Sequence, residues 1–133
     1  MIAANELRIG NWVNYDSDDT PFCVIEIAIS GISVKNSEEE TWIEIDQFSP
    51  IPLSSEILEK CGFICENANE DDRYYHLRLS NEKYCDLSFI TGDKNGFMEV
   101  CLFPYETYFR YQYLHQIQNL YFTLTNEELK INL

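Results

Sequence analysis

Five Cys and two His are the residues of this chain most suited to chemistry. A structural zinc site wants its thiolates in close pairs, usually Cys-x2-4-Cys, so that one short turn presents two ligands to one ion. Cys61 and Cys65 have that loose spacing, but no second pair accompanies them. Cys85 and Cys101 stand singly in strand-like runs, and Cys23 stands in an apolar one. The pattern predicts reduced, unligated thiols rather than a metal centre or a disulfide framework. A Cys–His or Ser–His nucleophile would need a base within hydrogen-bond reach of the attacking atom. His76 shares a strand face with Tyr74 and Arg78, and His115 falls on a helix. Neither is flanked by a nucleophile elbow, a Gly-rich phosphate loop or a paired catalytic motif. Both read as surface residues, one on a strand and one on a helix. The acidic loops Asp16–Asp19, Glu38–Glu40 and Glu70–Asp72 offer hard oxygen ligands, yet none has the Gly-centred calcium-loop pattern, so they read as solvated loops. No catalytic, cofactor-binding or metal-ligating residue is assigned, and no cofactor is expected. The balance falls against an enzyme, with an unrecognised site as the remaining alternative.

Charge narrows the partners. Nine Lys and Arg face 23 Asp and Glu, for a formal net charge of −14. Binding through nucleic-acid phosphates needs a basic patch, so direct nucleic-acid binding is excluded, as is an anionic membrane surface. Basic or neutral protein partners are favoured. A nucleic-acid mimic is the specific alternative that this acidity raises. Mimicry needs carboxylates spaced along a rigid surface, whereas here they cluster in loops. The long C-terminal helix has none between Tyr113 and Leu124, and the short one only Glu56 and Glu59. The N-terminus, MIAANELRIG, lacks a basic region followed by an apolar run, and no apolar stretch approaches the roughly 18 residues that span a bilayer. A cytoplasmic protein with reduced thiols is the expectation.

The elements that would position any site follow from periodicity. At 45% hydrophobic residues over 133 positions, with nine Tyr and eight Phe, the chain can bury a core in one domain or two very small ones, with much β structure. Leu7–Val13 reads as a first strand interrupted by Gly10, and Phe22–Ile29 as a buried strand. Ser30-Gly31 is a turn, Ile32–Lys35 returns, and Thr41–Asp46 alternates with Ile43 and Ile45 on one side. Pro50-Ile51-Pro52 is the candidate boundary. A short helix follows, with Ser54 as N-cap, Leu53 stapled onto Leu58, a buried stripe of Ile57, Leu58 and Cys61, and Gly62 as left-handed cap. Asn67–Asp72 is a loop. Tyr74–Leu79 alternates with Tyr75, Leu77 and Leu79 on one face. Tyr84–Thr91 has Cys85, Leu87 and Phe89 on one face, Gly92–Gly96 turns, and Phe97–Phe103 is the next strand. A further short strand is allowed for in Pro104–Gln112.

Tyr111–Leu133 carries the clearest helical period. Stepping about 100° per residue gathers Tyr113, Leu114, Ile117, Leu120, Tyr121 and Leu124 in one apolar arc, with His115, Gln116, Asn119 and Thr123 opposite. Phe122 breaks the pattern by landing beside His115 and Gln118. Two explanations compete: a second layer covers Phe122, or His115, Gln118, Asn119 and Phe122 form a partner surface with an aromatic anchor. Asn126 ends the helix, and Leu129, Ile131 and Leu133 alternate as a last short strand.

LRIGNWV resembles the opening of SH3-like barrels, where a Gly bends the first strand; Arg8 is its one basic residue, so the architecture is taken and nucleic-acid function is not. NELRIGNWV (Asn5–Val13), SPIPLSSEILEKCGF (Ser49–Phe63) and YLHQIQNLYFTLTNEEL (Tyr113–Leu129), in this order, resemble a group of small uncharacterised proteins. These are common in gut Bacteroidetes genomes, prophages and mobile elements. The last segment is the most specific, matching a pattern of the type VHQLQNLYFALTGEEL with Asn126 where Gly is usual. The resemblance implies context and fold, and no activity. The expectation is an α+β protein: residues 1–50 an SH3-like small β-barrel, residues 51–133 an α-β-β-β-α-β unit, the two packed as one body. Its expected role is a non-catalytic interaction or accessory module of a mobile element, with an unknown protein partner. An acidic inhibitor of a host nucleic-acid-binding protein is the first alternative, and an enzyme the second.

Overall fold

The structure, a computed structural model, describes residues 4–15, 19–68, 73–78, 86–91, 98–103 and 107–133. It is mixed α+β. The chain falls into two units, one formed by residues up to Pro52 together with Tyr113–Asn119, the other by Leu53–Gln112 and Leu120–Leu133. Among the described residues no helix is long and apolar enough to cross a membrane.

In the first unit a 3-10 turn, Ala4–Glu6, precedes five strands: β1 (Trp12–Tyr15), β2 (Thr20–Ile27), β3 (Gly31–Lys35), β4 (Glu40–Glu44) and β5 (Phe48–Pro50). They form an antiparallel sheet in the order β4-β3-β2-β1-β5. Register sets Val13 against Phe22 and Pro50, Val24 against Val34, and Ile32 against Ile43. Because side chains alternate across a strand, these residues share one face. With Phe48 they are the buried core, and Leu7 and Tyr15 pack against it.

Of the expected barrel the structure shows a five-stranded antiparallel sheet; among the described residues no pairing joins β4 to β5, so no closed barrel is found. The end strand β5 is only three residues long and finishes at Pro50, which has no N–H to donate. The expected first strand begins late, at Trp12, because Gly10 takes φ 99 and turns the chain. Phe22–Ile29 is not a continuously buried strand either. A bulge between Val24 and Glu26 inserts one residue, so Glu26 pairs with Ser33 and swings to the outer face, where Ser33 Oγ donates to Glu26 Oε2 at 3.4 Å. Past the bulge, Ile27 is half open and Ile29 is 99% exposed.

The second unit begins with α1 (Ser55–Lys60), whose ends follow the sequence closely. Ser54 has extended backbone, and its Oγ accepts from Ile57 N at 3.2 Å. Gly62, at φ 87, lets its N–H reach Glu59 O and Phe63 N–H reach Leu58 O, both at 3.0 Å, which satisfies two of the last carbonyls. Leu58, Cys61 and Phe63 are buried, and Ile57 is half-buried. Strands β6 (Ile64–Ala68), β7 (Arg73–Arg78), β8 (Asp86–Thr91), β9 (Met98–Phe103) and β10 (Thr107–Tyr111) then form a second antiparallel sheet in the order β10-β9-β8-β7-β6.

Five strands therefore stand where three were expected. β10 is the short strand allowed for in Pro104–Gln112. β6 takes Asn67 and Ala68 out of the expected loop, and a bulge between Cys65 and Asn67 disguises its alternation. On β7, Tyr75 is fully buried and Leu77 half-buried. Leu79, Cys85 and the Gly92–Gly96 turn lie outside the described residues. The expected last strand is absent. Leu129 is buried, but residues 129–133 hold no ladder, and Asn132 N–H donates to Lys60 O at 3.1 Å.

The last helix is α2 (Leu114–Thr125). Tyr113 N–H donates to Gln116 Oε1 at 3.0 Å, the returning half of a capping box. Its end is as expected: Asn126 adopts φ 57, and its N–H donates to Phe122 O at 2.8 Å.

Gly31 yields a test of the first sheet. It is buried, and a Cβ there would strike the Ile43 carbonyl and stand 2.9 Å from the Trp42 ring. Gly31→Ala should lower stability by about 1–3 kcal/mol, as overpacking does. A urea midpoint equal to that of the parent chain would refute this close approach.

Candidate functional site

The residues expected to meet a partner are mostly turned inward. His115 and Gln118 are 2% and 1% exposed, so neither lies on the surface; Asn119 and Phe122 are half-buried. Leu124, expected in the apolar arc, is 40% exposed. The helix does not face its core by hydrophobicity alone.

Hydrogen bonds in the first unit give the reason. Gln118 Oε1 accepts from Trp12 N–H at 2.9 Å, and Gln118 Nε2 donates to Gly10 O at 2.9 Å. Its one amide thus satisfies a donor and an acceptor of the same loop. Asn119 repeats the arrangement. Its Oδ1 accepts from Asn11 Nδ2 at 2.8 Å and from Arg8 Nε at 3.3 Å, and its Nδ2 donates to Glu6 O at 2.8 Å. Asn11 is fully buried, and its Oδ1 accepts from Arg8 N–H at 2.7 Å. Gly10 N–H donates to Val24 O and Val24 N–H to Asn11 O, both at 2.8 Å, so the loop runs on into the sheet. Primary amides suit this work because each carries both donors and an acceptor in one plane. Such a cluster is fully satisfied and chemically inert. Sequence reading had no signal for it beyond polar residues interrupting two apolar patterns, and nothing in the chain announces a partnership between positions 108 residues apart.

His115 sits beside this cluster in the chain and makes the opposite case. It is buried, its ring stacks on Tyr113 at 6.0 Å between centroids and 17° between planes, and neither ring nitrogen has a hydrogen-bond partner among the described residues. The expected surface role for it is corrected. Burial holds its pKa below the ordinary value, while the charge of Glu6 pulls weakly the other way. A neutral imidazole is therefore the resident form near neutral pH. Among the described residues no nucleophile or carboxylate stands in hydrogen-bond contact with it. His76, in β7, is half-buried opposite Ile64 and Ser88.

The thiols are placed apart in character. Cys61, at the end of α1, is 3% exposed, and burial pushes its thiol up to about 12, which leaves little thiolate to bind a metal or attack. Cys65 is exposed on β6, and Cys23 is half-buried on β2. All three are free. Cys101 lies in β9, and Cys85 is outside the described residues. Among the described residues no group of three or more His, Cys, Asp or Glu could hold a metal ion. The Glu38–Glu40 segment is a side-chain turn: Asn36 Oδ1 accepts from Glu38 N–H and Glu39 N–H, both at 2.9 Å.

One concavity is apolar. Leu7, Ile27, Ala28, Gly31, Ile32, Ile45 and Phe48 line a shallow pocket of about 10 Å³ that opens to solvent. Small-molecule sites run to roughly 300–1,000 Å³ with a few convergent polar groups. At about 10 Å³ this pocket has room for about one water-sized group and not for a cofactor.

Two measurements follow. Gln118→Leu strands the Gly10 carbonyl and the Trp12 N–H, and should cost about 2–4 kcal/mol of stability. It should also speed hydrogen exchange at the Trp12 amide, and unaltered exchange there would count against the bond. The second concerns acid. The unfolded chain protonates His115 below the ordinary 6.5, whereas the folded chain resists until a lower pH. The unfolded state then binds more protons, so the stability present above that value falls as pH drops from it towards the depressed folded value. Urea midpoints between about pH 7.5 and 5 should show this slope in the parent chain and lose it in His115→Phe. Equal slopes in both would contradict the assignment.

Comparison of the chain with protein-family models, with curated proteins and with solved structures finds no match.

Proposed function

We propose that the chain is a non-catalytic protein-interaction module, serving as an accessory protein of a prophage or other mobile element. The observation that supports this most is where large apolar side chains lie open in the first unit. Ile27, Ile29, Trp42 and Ile45 are 37%, 99%, 45% and 38% exposed. Single exposed apolar residues are ordinary on a protein surface. Three of these four are drawn to one end of the sheet. Ile45 N–H donates to Ser30 O at 3.0 Å, which sets the Ile29 turn beside the end of β4. Ile27 and Ile45 also line the apolar pocket. Clustering of this kind marks interaction surfaces. The mobile-element setting rests on the resemblance carried by Asn5–Val13, Ser49–Phe63 and Tyr113–Leu129.

The test is affinity capture from a lysate of a gut Bacteroidetes strain, followed by mass spectrometry, with the parent chain and an Ile29→Asp variant. A protein recovered by the parent chain and lost by the variant is the expected result. Nucleases or restriction subunits held equally by both, and released by salt, would favour the acidic inhibitor instead. A metabolite retained on the purified chain, with no protein recovered, would favour an enzyme.

A further inference from the structure

β4 is an end strand of the first unit's sheet, and among the described residues no strand pairs with its outer side. Glu40, Thr41, Trp42 and Glu44 are exposed, and Ile43 is buried. The register sets Glu40 opposite Lys35, Trp42 opposite Ser33 and Glu44 opposite Gly31. Glu40, Trp42 and Glu44 therefore stand in a row on the outer face, an indole between two carboxylates, while Ile43 belongs to the core face. Positions 36–46 hold five carboxylates, at 38, 39, 40, 44 and 46, and no Lys or Arg.

Sheets guard their free edges by brevity, proline, charge or bulges. The other end strand, β5, uses the first two. β4 is regular over its five residues and keeps a large aromatic ring open at its centre. Its charges are selective rather than merely protective. Like charges directly opposite disfavour pairing, so a second copy of β4 is repelled, whereas a cationic strand is attracted.

We infer that β4 is a docking edge for an extended segment of a partner protein in which basic residues alternate with apolar ones. This names the partner class of the interaction module proposed above and rests on that reading. The incoming strand adds to the sheet through main-chain hydrogen bonds, and its side chains supply the selectivity. Its basic residues fall opposite Glu40 and Glu44, at the roughly 4.5–5.5 Å between Cβ atoms of facing pairs. An Arg or Lys facing Trp42 lies against the indole, which attracts cations through its ring face. The intervening residues turn to the other side and extend the apolar layer that Ile43 begins.

The probe is a fluorescein-labelled RVRVRVR peptide, with the same peptide N-methylated on alternate amides as a control of equal charge. The parent chain should bind the unmethylated peptide at least about tenfold more tightly than the methylated one. Amide resonances of residues 40–44 should shift on binding. Trp42→Ala and the pair Glu40→Gln with Glu44→Gln should each lose affinity by about tenfold while the amide resonances outside residues 29–46 keep the pattern of the folded parent chain. Equal binding of both peptides would reduce the effect to bulk charge and overturn the proposal, as would variants that bind like the parent. A lysate protein captured equally by the parent and by Trp42→Ala would overturn the β4 assignment and leave the interaction reading standing. Peptide docking at β4 with no protein recovered would do the reverse.

Discussion

The first unit depends on two side-chain amides that hold a loop by its own backbone. The segment from Leu7 to Asn11 is neither helix nor sheet, yet Asn11 within it is fully buried. Buried peptide groups outside regular structure need partners or they cost stability. Gln118 and Asn119 supply those partners at Gly10, Trp12 and Glu6. Each bond is worth about 1 kcal/mol net, but leaving its partner bare costs more, so the cluster behaves as a unit. What it fixes is the start of β1. With Gly10 and Asn11 bonded to Val24, the ladder continues as Trp12 to Cys23 and Val13 to Phe22. A slip of one residue would turn Val13 out of the core, so the amides set the register on which the core depends.

Local chemistry was legible wherever one residue type has one job. Ser54 and Gly62 mark the two ends of α1, and Asn126 marks the end of α2, because caps are decided within a few residues. Alternation placed Ile43 of β4 in the core for the same reason, though not Ile45, which is 38% exposed. Failure came where an extra residue or a distant partner decides. The bulges at Ile25 and in β6 break the alternation that identifies a strand. The apolar wheel of α2 placed His115 and Gln118 outside because it scores polarity, and a satisfied amide buries as readily as a methyl group. Leu129, Ile131 and Leu133 alternate like a strand without a neighbour to pair with, and alternation says nothing about neighbours.

The segments Asn5–Val13 and Tyr113–Leu129 contain both sides of this cluster: Asn11, Gly10 and Arg8 in one, Gln118 and Asn119 in the other. A structural demand therefore accounts for these residue types. Gly10 is needed for its positive φ, Asn11 for its buried amide, and the Gln-Asn pair for its reach. His115 is the exception, since its unpartnered nitrogens add nothing to the cluster and burial costs them hydration.

This partition decides which polar groups of the first unit face solvent. With His115 and Gln118 taken up inside the first unit, the helix offers little polar surface there, and the outer face of the sheet offers much. The bulge in β2 adds to that face by carrying Glu26 to it. Were the strand regular, Glu26 would follow Phe22 and Val24 onto the core side, where an unpaired carboxylate costs far more than a bulge. The insertion thus relieves the core of a charge and adds one to the face that carries Glu40 and Glu44. The first unit's apolar interior and its acidic exterior are, at this position, two results of one register shift.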